Sequence, residues 1–224
     1  MSEGIYLHEV SKKFGNEEVL SSCTAYFRPG KIYGLMGRNG TGKSVLLKLI
    51  CGLYLPDSGF IEVFGKKIGE GGTFAENIGA LIETPGFLNS YTGFQNLQFL
   101  AEIQHRIGEK EIQDAMEEVG LDWKSKKRVG KYSLGMKQRL GIAQVIMEDP
   151  AILLLDEPMN GLDEAGVKKV RSLILKKKEE GKLILLASHI KEDLEILCDE
   201  VYEIQNCSLH RISFEEKNKG TAYS

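Results

Sequence analysis

The 224-residue sequence predicts an α/β fold with a mostly parallel sheet, an N-terminal antiparallel β region and an inserted helical subdomain. Three observations carry that prediction. Four short runs, "KIYGLMG" (31–37), "IGALIE" (78–83), "AILLLDE" (151–157) and "KLILLASH" (182–189), are apolar on both faces and bounded by Gly, Asp or His. That is the pattern of parallel strands buried between helices. Between the runs, apolar residues recur at the three- and four-residue spacing of amphipathic helices. Before them, "GIYLHEV" and "VLSSCTAYF" alternate loosely, as antiparallel strands with one wet face do.

Taken in order, residues 1–30 form the antiparallel region and 31–83 open the α/β core. "KSVLLKLICG" reads as a helix closed by Gly52 in the left-handed conformation. Residues 84–148 are helical almost throughout: "FQNLQFLAEIQHRIG", "EKEIQDAMEEVGL", and "LGMKQRLGIAQVIMEDP", the last following Ser133 as N-cap and stopping before Pro150. So long an excursion between two core strands reads as an inserted subdomain. The core resumes over 149–212, and 213–224 is a polar tail. The whole is read as a single domain.

Composition narrows the function. A net charge of −3 gives no reason to expect nucleic acid as a partner. The four cysteines, Cys23, Cys51, Cys198 and Cys207, have no metal-ligand rhythm and read as reduced thiols. The N-terminus has no basic segment followed by an apolar run, and no apolar stretch approaches the roughly 20 residues that cross a bilayer. The expectation is a soluble, intracellular chain that reaches a membrane only through a partner.

The strongest chemical signal is "GRNGTGKS", Gly37, Arg38, Asn39, Gly40, Thr41, Gly42, Lys43 and Ser44, which follows a buried strand and opens a helix that Val45 continues. In that context it is a phosphate-binding P-loop, so the core is that of a P-loop NTPase. Glycines let consecutive backbone N–H groups converge on one anion, and the positive end of the following helix adds to the attraction. Lys43 would reach the β- and γ-phosphates and the Ser44 hydroxyl would ligate Mg²⁺. Asp156, at the carboxyl end of "AILLL", supplies the acid that holds the metal. Glu157 cannot point the same way as Asp156 on an extended backbone, which frees it to act as general base or to position an attacking water; the competing reading is a loop cap before Pro158.

With "YSLGMKQR" (132–139), "MNGLD" (159–163), "LLASH" ending at His189 and "VSKKFG" containing Phe14, the chain resembles the nucleotide-binding subunit of ATP-binding-cassette (ABC) transporters to about residue 212. The resemblance implies a RecA-like core with ATP and Mg²⁺ as ligands. It implies that Ser133, Leu134, Gly135 and Met136 at a helix N-terminus reach the γ-phosphate held by a second subunit, either an identical copy or a close paralogue. Asn160 and Asp163 would lie in the loop that touches that partner. His189 would hold the γ-phosphate and Glu157 together, neutral or charged according to the bond it donates. Phe14 would stack on adenine, against the simpler reading of core packing. The family's signature has two adjacent glycines and a glutamine, and here Leu134 and Met136 replace one glycine and the glutamine.

Glu83, in "IGALIETPGF", stands where the family has a metal-ligating glutamine. The expectation is that Glu83 lies near the phosphates and is tolerated only because Mg²⁺ sits between them. With "SLGMKQRLGIA", this acid resembles the bacitracin-resistance and lantibiotic-immunity subgroup. The resemblance thus implies an ATP-hydrolysing subunit, cytoplasmic and peripheral on the inner face of the membrane through an integral-membrane permease that exports a peptide antibiotic or similar amphiphile. Phe87, Leu88, Phe94 and Phe99 would form the permease groove. The alternatives are a soluble ABC ATPase without a permease and a nucleotide-gated module with little turnover.

Overall fold

The computed structural model describes residues 4–70, 74–83 and 86–213. Residues 214–224 of the tail read over 213–224, and the turn residues Thr84 and Pro85, lie outside them. Each of the four doubly apolar runs forms a strand: β3 (Ile32–Met36), β6 (Ile78–Leu81), β7 (Ile152–Asp156) and β8 (Leu183–Ser188). They pair in parallel in a sheet of order β10-β9-β3-β8-β7-β6, completed by β9 (Glu200–Gln205), parallel to β3, and β10 (Ser208–Ile212), antiparallel to β9. Alternate residues of one strand enter opposite cores. Leu153 and Leu155 pack with the helical insertion, while Ile152 and Leu154 pack with the N-terminal sheet. A strand buried on both sides needs apolar residues at every position.

The second sheet, of order β2-β1-β4-β5, is antiparallel: β1 (Ile5–Phe14), β2 (Glu17–Phe27), β4 (Ser58–Val63) and β5 (Lys66–Lys67). Residues 58–67, grouped above with the parallel core, therefore belong to the antiparallel sheet. Their place depends on β1, which bulges at Glu9, where φ is 47°. There β1 approaches Gly59 so closely that a Cβ would lie 2.2 Å from the His8 carbonyl oxygen.

Helix α1 (Lys43–Cys51) ends as expected on Gly52 at φ 81°, whose N–H caps the Leu49 carbonyl. The insertion consists of α2 (Gly93–Gln104), opened by a Thr92–Gln95 capping box, α3 (Glu109–Glu118) and α4 (Leu134–Ile146), whose N-cap Ser133 accepts from the Met136 N–H. The far end of α4 lies directly on β6, where a Cβ on Gly79 would sit 2.3 Å from the Val145 carbonyl oxygen. One helix thus spans from the tip of the insertion to the edge of the sheet. Two further helices, α5 (Glu164–Glu179) and α6 (Lys191–Leu197), flank β8. Among the described residues no helix is long and apolar enough to cross a membrane.

Candidate phosphate and metal site

The loop of residues 37–42 joins β3 to α1 at the carboxyl edge of the parallel sheet, where open α/β sheets bind ligands. Gly40 and Gly42 have φ of 82° and 104°. At Gly40 a Cβ would meet nothing within 4 Å, so glycine is needed there for its backbone conformation and not for space. Lys43 is only 5% exposed, and its Nζ donates to the carbonyls of Gly37 (2.7 Å) and Arg38 (3.1 Å). Thr41 Oγ1 donates to the Arg38 carbonyl at 3.0 Å and tightens the same turn.

A cavity of about 290 Å³ is lined by Asn39, Gly40, Gly42, Lys43, Ser44, Val45, Asp156 and Glu157. Gly37, Arg38 and Thr41 face a second cavity of about 470 Å³, shared with Val19 and the turn between β9 and β10. In the first, the Ser44 hydroxyl donates to Asp156 Oδ2. Burial pushes the Asp156 carboxyl above the ordinary aspartate value, and the Glu157 charge adds to this against the Ser44 hydrogen bond and Lys43. A hydroxyl and a partly desolvated carboxylate side by side are hard oxygen donors that suit Mg²⁺. Among the described residues, no group of three or more His, Cys, Asp or Glu is placed to hold a metal ion.

Glu157 is placed by a turn and not by strand alternation. The strand ends at Asp156, and Glu157 takes a left-handed φ of 48°, its N–H donating to the Ala187 carbonyl at 2.9 Å. Its Oε1 accepts from the His189 N–H at 3.0 Å, faces His189 Nδ1 at 2.8 Å and stands 4.0 Å from Lys43 Nζ. An ionised carboxylate only accepts, so His189 Nδ1 carries its hydrogen. With Nδ1 as donor, a neutral ring presents Nε2 as an acceptor, and only an imidazolium donates from both nitrogens.

Sequence reasoning missed Gln138. Its Nε2 donates to the carbonyls of Glu157 and Pro158, both at 3.1 Å, and so α4 holds the backbone of Glu157. A lone glutamine inside an amphipathic helix carries no signal of such a contact. The other residues at the head of α4 also lean on the 159–163 loop of the same chain. Leu134, 59% exposed, covers Gly161, where a Cβ would lie 2.6 Å from Leu134 Cδ2, and a Cβ on Gly135 would lie 2.8 Å from the Gly161 carbonyl oxygen. Met136 Sδ accepts from Lys127 Nζ at 3.6 Å. Asp163 caps α5 through the Gly166 N–H (3.0 Å) and pairs with Arg139 (2.8 Å), while the exposed Asn160 donates its N–H to the Glu157 carbonyl at 3.0 Å. Ser133 through Met136 do not line the phosphate cavity of their own chain.

Two of the predicted residues have neighbours that the sequence did not show. Glu83 lies at the end of β6, and its charge is felt at Asp156, yet metal is not its only possible counter-ion. Its Oε1 is 2.5 Å from Lys48 Nζ, a cation of α1 that the sequence reading passed over. Phe14 is no core residue. It is 42% exposed at the end of β1, edge-to-face with Tyr54 at 5.3 Å, with Lys12 Nζ 5.5 Å from its ring centre.

Comparison with known proteins agrees with this geometry. A family profile described as ABC transporter matches residues 20–160. The chain is 40% identical over 197 residues to a bacitracin transport ATP-binding protein of Enterococcus faecalis, covering 87% of this chain and 64% of that relative's length. It is 35% identical over 193 residues to a lantibiotic transport ATP-binding protein of Streptococcus pyogenes, covering 86% and 83%. A solved structure of an ATP-binding subunit of an ABC transporter superimposes with a TM-score of 0.85 at 25% identity, over 96% of this chain and 92% of the other. A dimeric bacterial ABC transporter cassette, at 21% identity and a TM-score of 0.82, shares the fold. The chain belongs to the ABC transporter family and has the P-loop fold of that family's ATP-binding cassettes.

Proposed function

We propose that this chain is the ATP-binding and ATP-hydrolysing subunit of a membrane transporter that exports a peptide antibiotic or similar amphiphile. The observation that carries the enzymatic part is the convergence of Lys43, the Ser44–Asp156 pair and Glu157, itself held by His189, on one cavity. The cargo class rests on relatives whose names are bacitracin and lantibiotic transport ATP-binding proteins.

The loop N–H groups and Lys43 bind the phosphates of ATP, with Gly37 through Val45 forming the cradle and Phe14 the platform for the base. Ser44 and Asp156, with Glu83 as third ligand, would hold Mg²⁺, which would supply positive charge against the phosphates. Glu157 Oε1 is engaged by His189, which leaves the other carboxylate oxygen to orient and deprotonate water. The head of α4, with Ser133 and Leu134 exposed, is free to meet the nucleotide of a second cassette, identical or a close paralogue. Asn160 and Asp163 flank that contact, and Asp163 also stays tied to Arg139 within its own chain.

An integral-membrane permease is the second partner, placing the chain on the cytoplasmic face. Phe87, Leu88 and Phe99 line a groove of about 300 Å³ between β6 and α2, suited to a short amphipathic helix. Phe94 instead turns inward, 6.0 Å from Trp123.

The decisive experiment uses Glu157→Gln saturated with MgATP. The expected result is a stable dimer with hydrolysis abolished. A strictly monomeric variant, or one that turns ATP over at the wild-type rate, would remove the proposed mechanism.

A further inference from the structure

Helix α1 presents two side chains to the ends of two neighbouring strands. Ser44 and Lys48, four residues apart, share one face of the helix. β6 and β7 pair in parallel, with Leu81 opposite Leu155, so both strands leave the sheet at the same edge, Asp156 one residue and Glu83 two residues beyond that pair. Ser44 meets Asp156, and Lys48 meets Glu83. The lysine is the fixed partner: its side chain is 18% exposed, against 64% for Glu83. Lys48 Nζ also lies 5.4 Å from the centre of the Tyr54 ring, which in turn meets Phe14 edge-on. If Glu83 leaves, Lys48 keeps a cation–π partner and is not stranded.

We propose that Lys48 is a positioning residue that holds Glu83 and competes with the divalent cation for its carboxylate. The cation then enters by exchange with an ammonium group already in place, and Lys48 sets how much metal the site requires. This rests on the reading of the loop as an ATP and Mg²⁺ site. It reverses the expectation from sequence that Glu83 is tolerated only when metal is bound, because the acid is neutralised in either state. Glu83 also heads the chain's exit from the core towards the insertion, so the exchange of partners occurs where a change at the phosphates would reach the helices.

The test is a divalent-metal titration of binding of a fluorescent ATP analogue, with Mn²⁺ bound to the complex read in parallel by electron paramagnetic resonance. Wild type is compared with Lys48→Met, Lys48→Arg, Glu83→Gln and the double variant Lys48→Met/Glu83→Gln. Lys48→Met should lower the half-saturating metal concentration about fivefold, the scale of a partly exposed ion pair, and Lys48→Arg should restore it. In the Glu83→Gln background the same lysine change should shift the midpoint by less than about twofold, because the competition has lost its object. An unchanged midpoint in Lys48→Met, or an equal shift in both backgrounds, overturns the proposal while leaving nucleotide binding intact. Failure of wild type to bind the analogue at any metal concentration overturns the ATP-site reading itself, and this proposal with it.

Discussion

Gln138→Leu tests whether the insertion holds the proposed catalytic carboxylate in place. The glutamine donates two hydrogen bonds, each 3.1 Å, to the carbonyls of Glu157 and Pro158. Each is worth about 1 kcal/mol net, so their loss costs about 2 kcal/mol. Glu157 sits at φ 48°, a left-handed conformation that costs a non-glycine residue about 1–2 kcal/mol. The two quantities are of similar size. Without Gln138 the Glu157 backbone keeps only its bonds with Ala187 and Asn160 against that strain, and it relaxes to carry the carboxylate off its contact with His189. Lys43 and Ser44 bind from a different element and are untouched. Urea unfolding should show a loss of about 2 kcal/mol. Single-turnover ATP hydrolysis should fall by about tenfold or more, since small displacements of a catalytic group are expensive, with nucleotide affinity within about twofold of wild type. Hydrolysis at the wild-type rate, or a matching loss of affinity, would refute the reasoning.

Two further perturbations probe charge burial. The raised carboxyl of Asp156 means that the folded chain holds this proton more tightly than the unfolded chain does. The stability it contributes is therefore present below the ordinary aspartate value of 3.8 and is lost as pH rises through the raised folded value. Asp156→Asn should remove that fall, giving at neutral pH a higher urea midpoint without metal but none of the extra stability that MgATP confers on wild type. A midpoint lower than wild type under metal-free conditions counts against this account. Arg171→Ala should destabilise by about 3 kcal/mol, because it strands Asp193, 2% exposed and held by Arg171 Nε (2.9 Å) and Nη2 (2.6 Å). Adding Asp193→Asn should recover part of that loss in the same unfolding assay, and no recovery would show that the buried charge is not its cause.

The parts of the fold legible beforehand were those where burial writes itself into consecutive residues. β7 and β8 are apolar at nearly every position because both of their faces are covered. Gly52 and Ser133 marked helix ends because the chemistry of an end lies within a few residues of it. Residues 58–67 were misplaced because neighbours in sequence need not share a sheet, and their partner β1 lies some fifty residues earlier. The β9–β10 hairpin was not read at all. Its turn places Asn206 and Cys207 at φ 50° and 63° without a glycine to announce it.

In the site, contiguous motifs named Lys43, Ser44, Asp156, Glu157 and His189 together, since a strand, a tight loop and a helix start can align groups only at set spacings. Local pattern also told a reader that an acid stands at Glu83 and an aromatic at Phe14. It did not say that Lys48 holds the first, that Tyr54 touches the second or that Gln138 holds the backbone beside them. Those contacts join residues 19 to 40 positions apart and depend on which faces of α1 and α4 the packed core turns towards the sheet. The sequence by itself determined the class of fold and the list of reactive groups, because each is encoded within one element. Tertiary structure alone decided how those groups are paired and held, because an ion pair or hydrogen bond exists only where packing brings its two ends within about 3 Å.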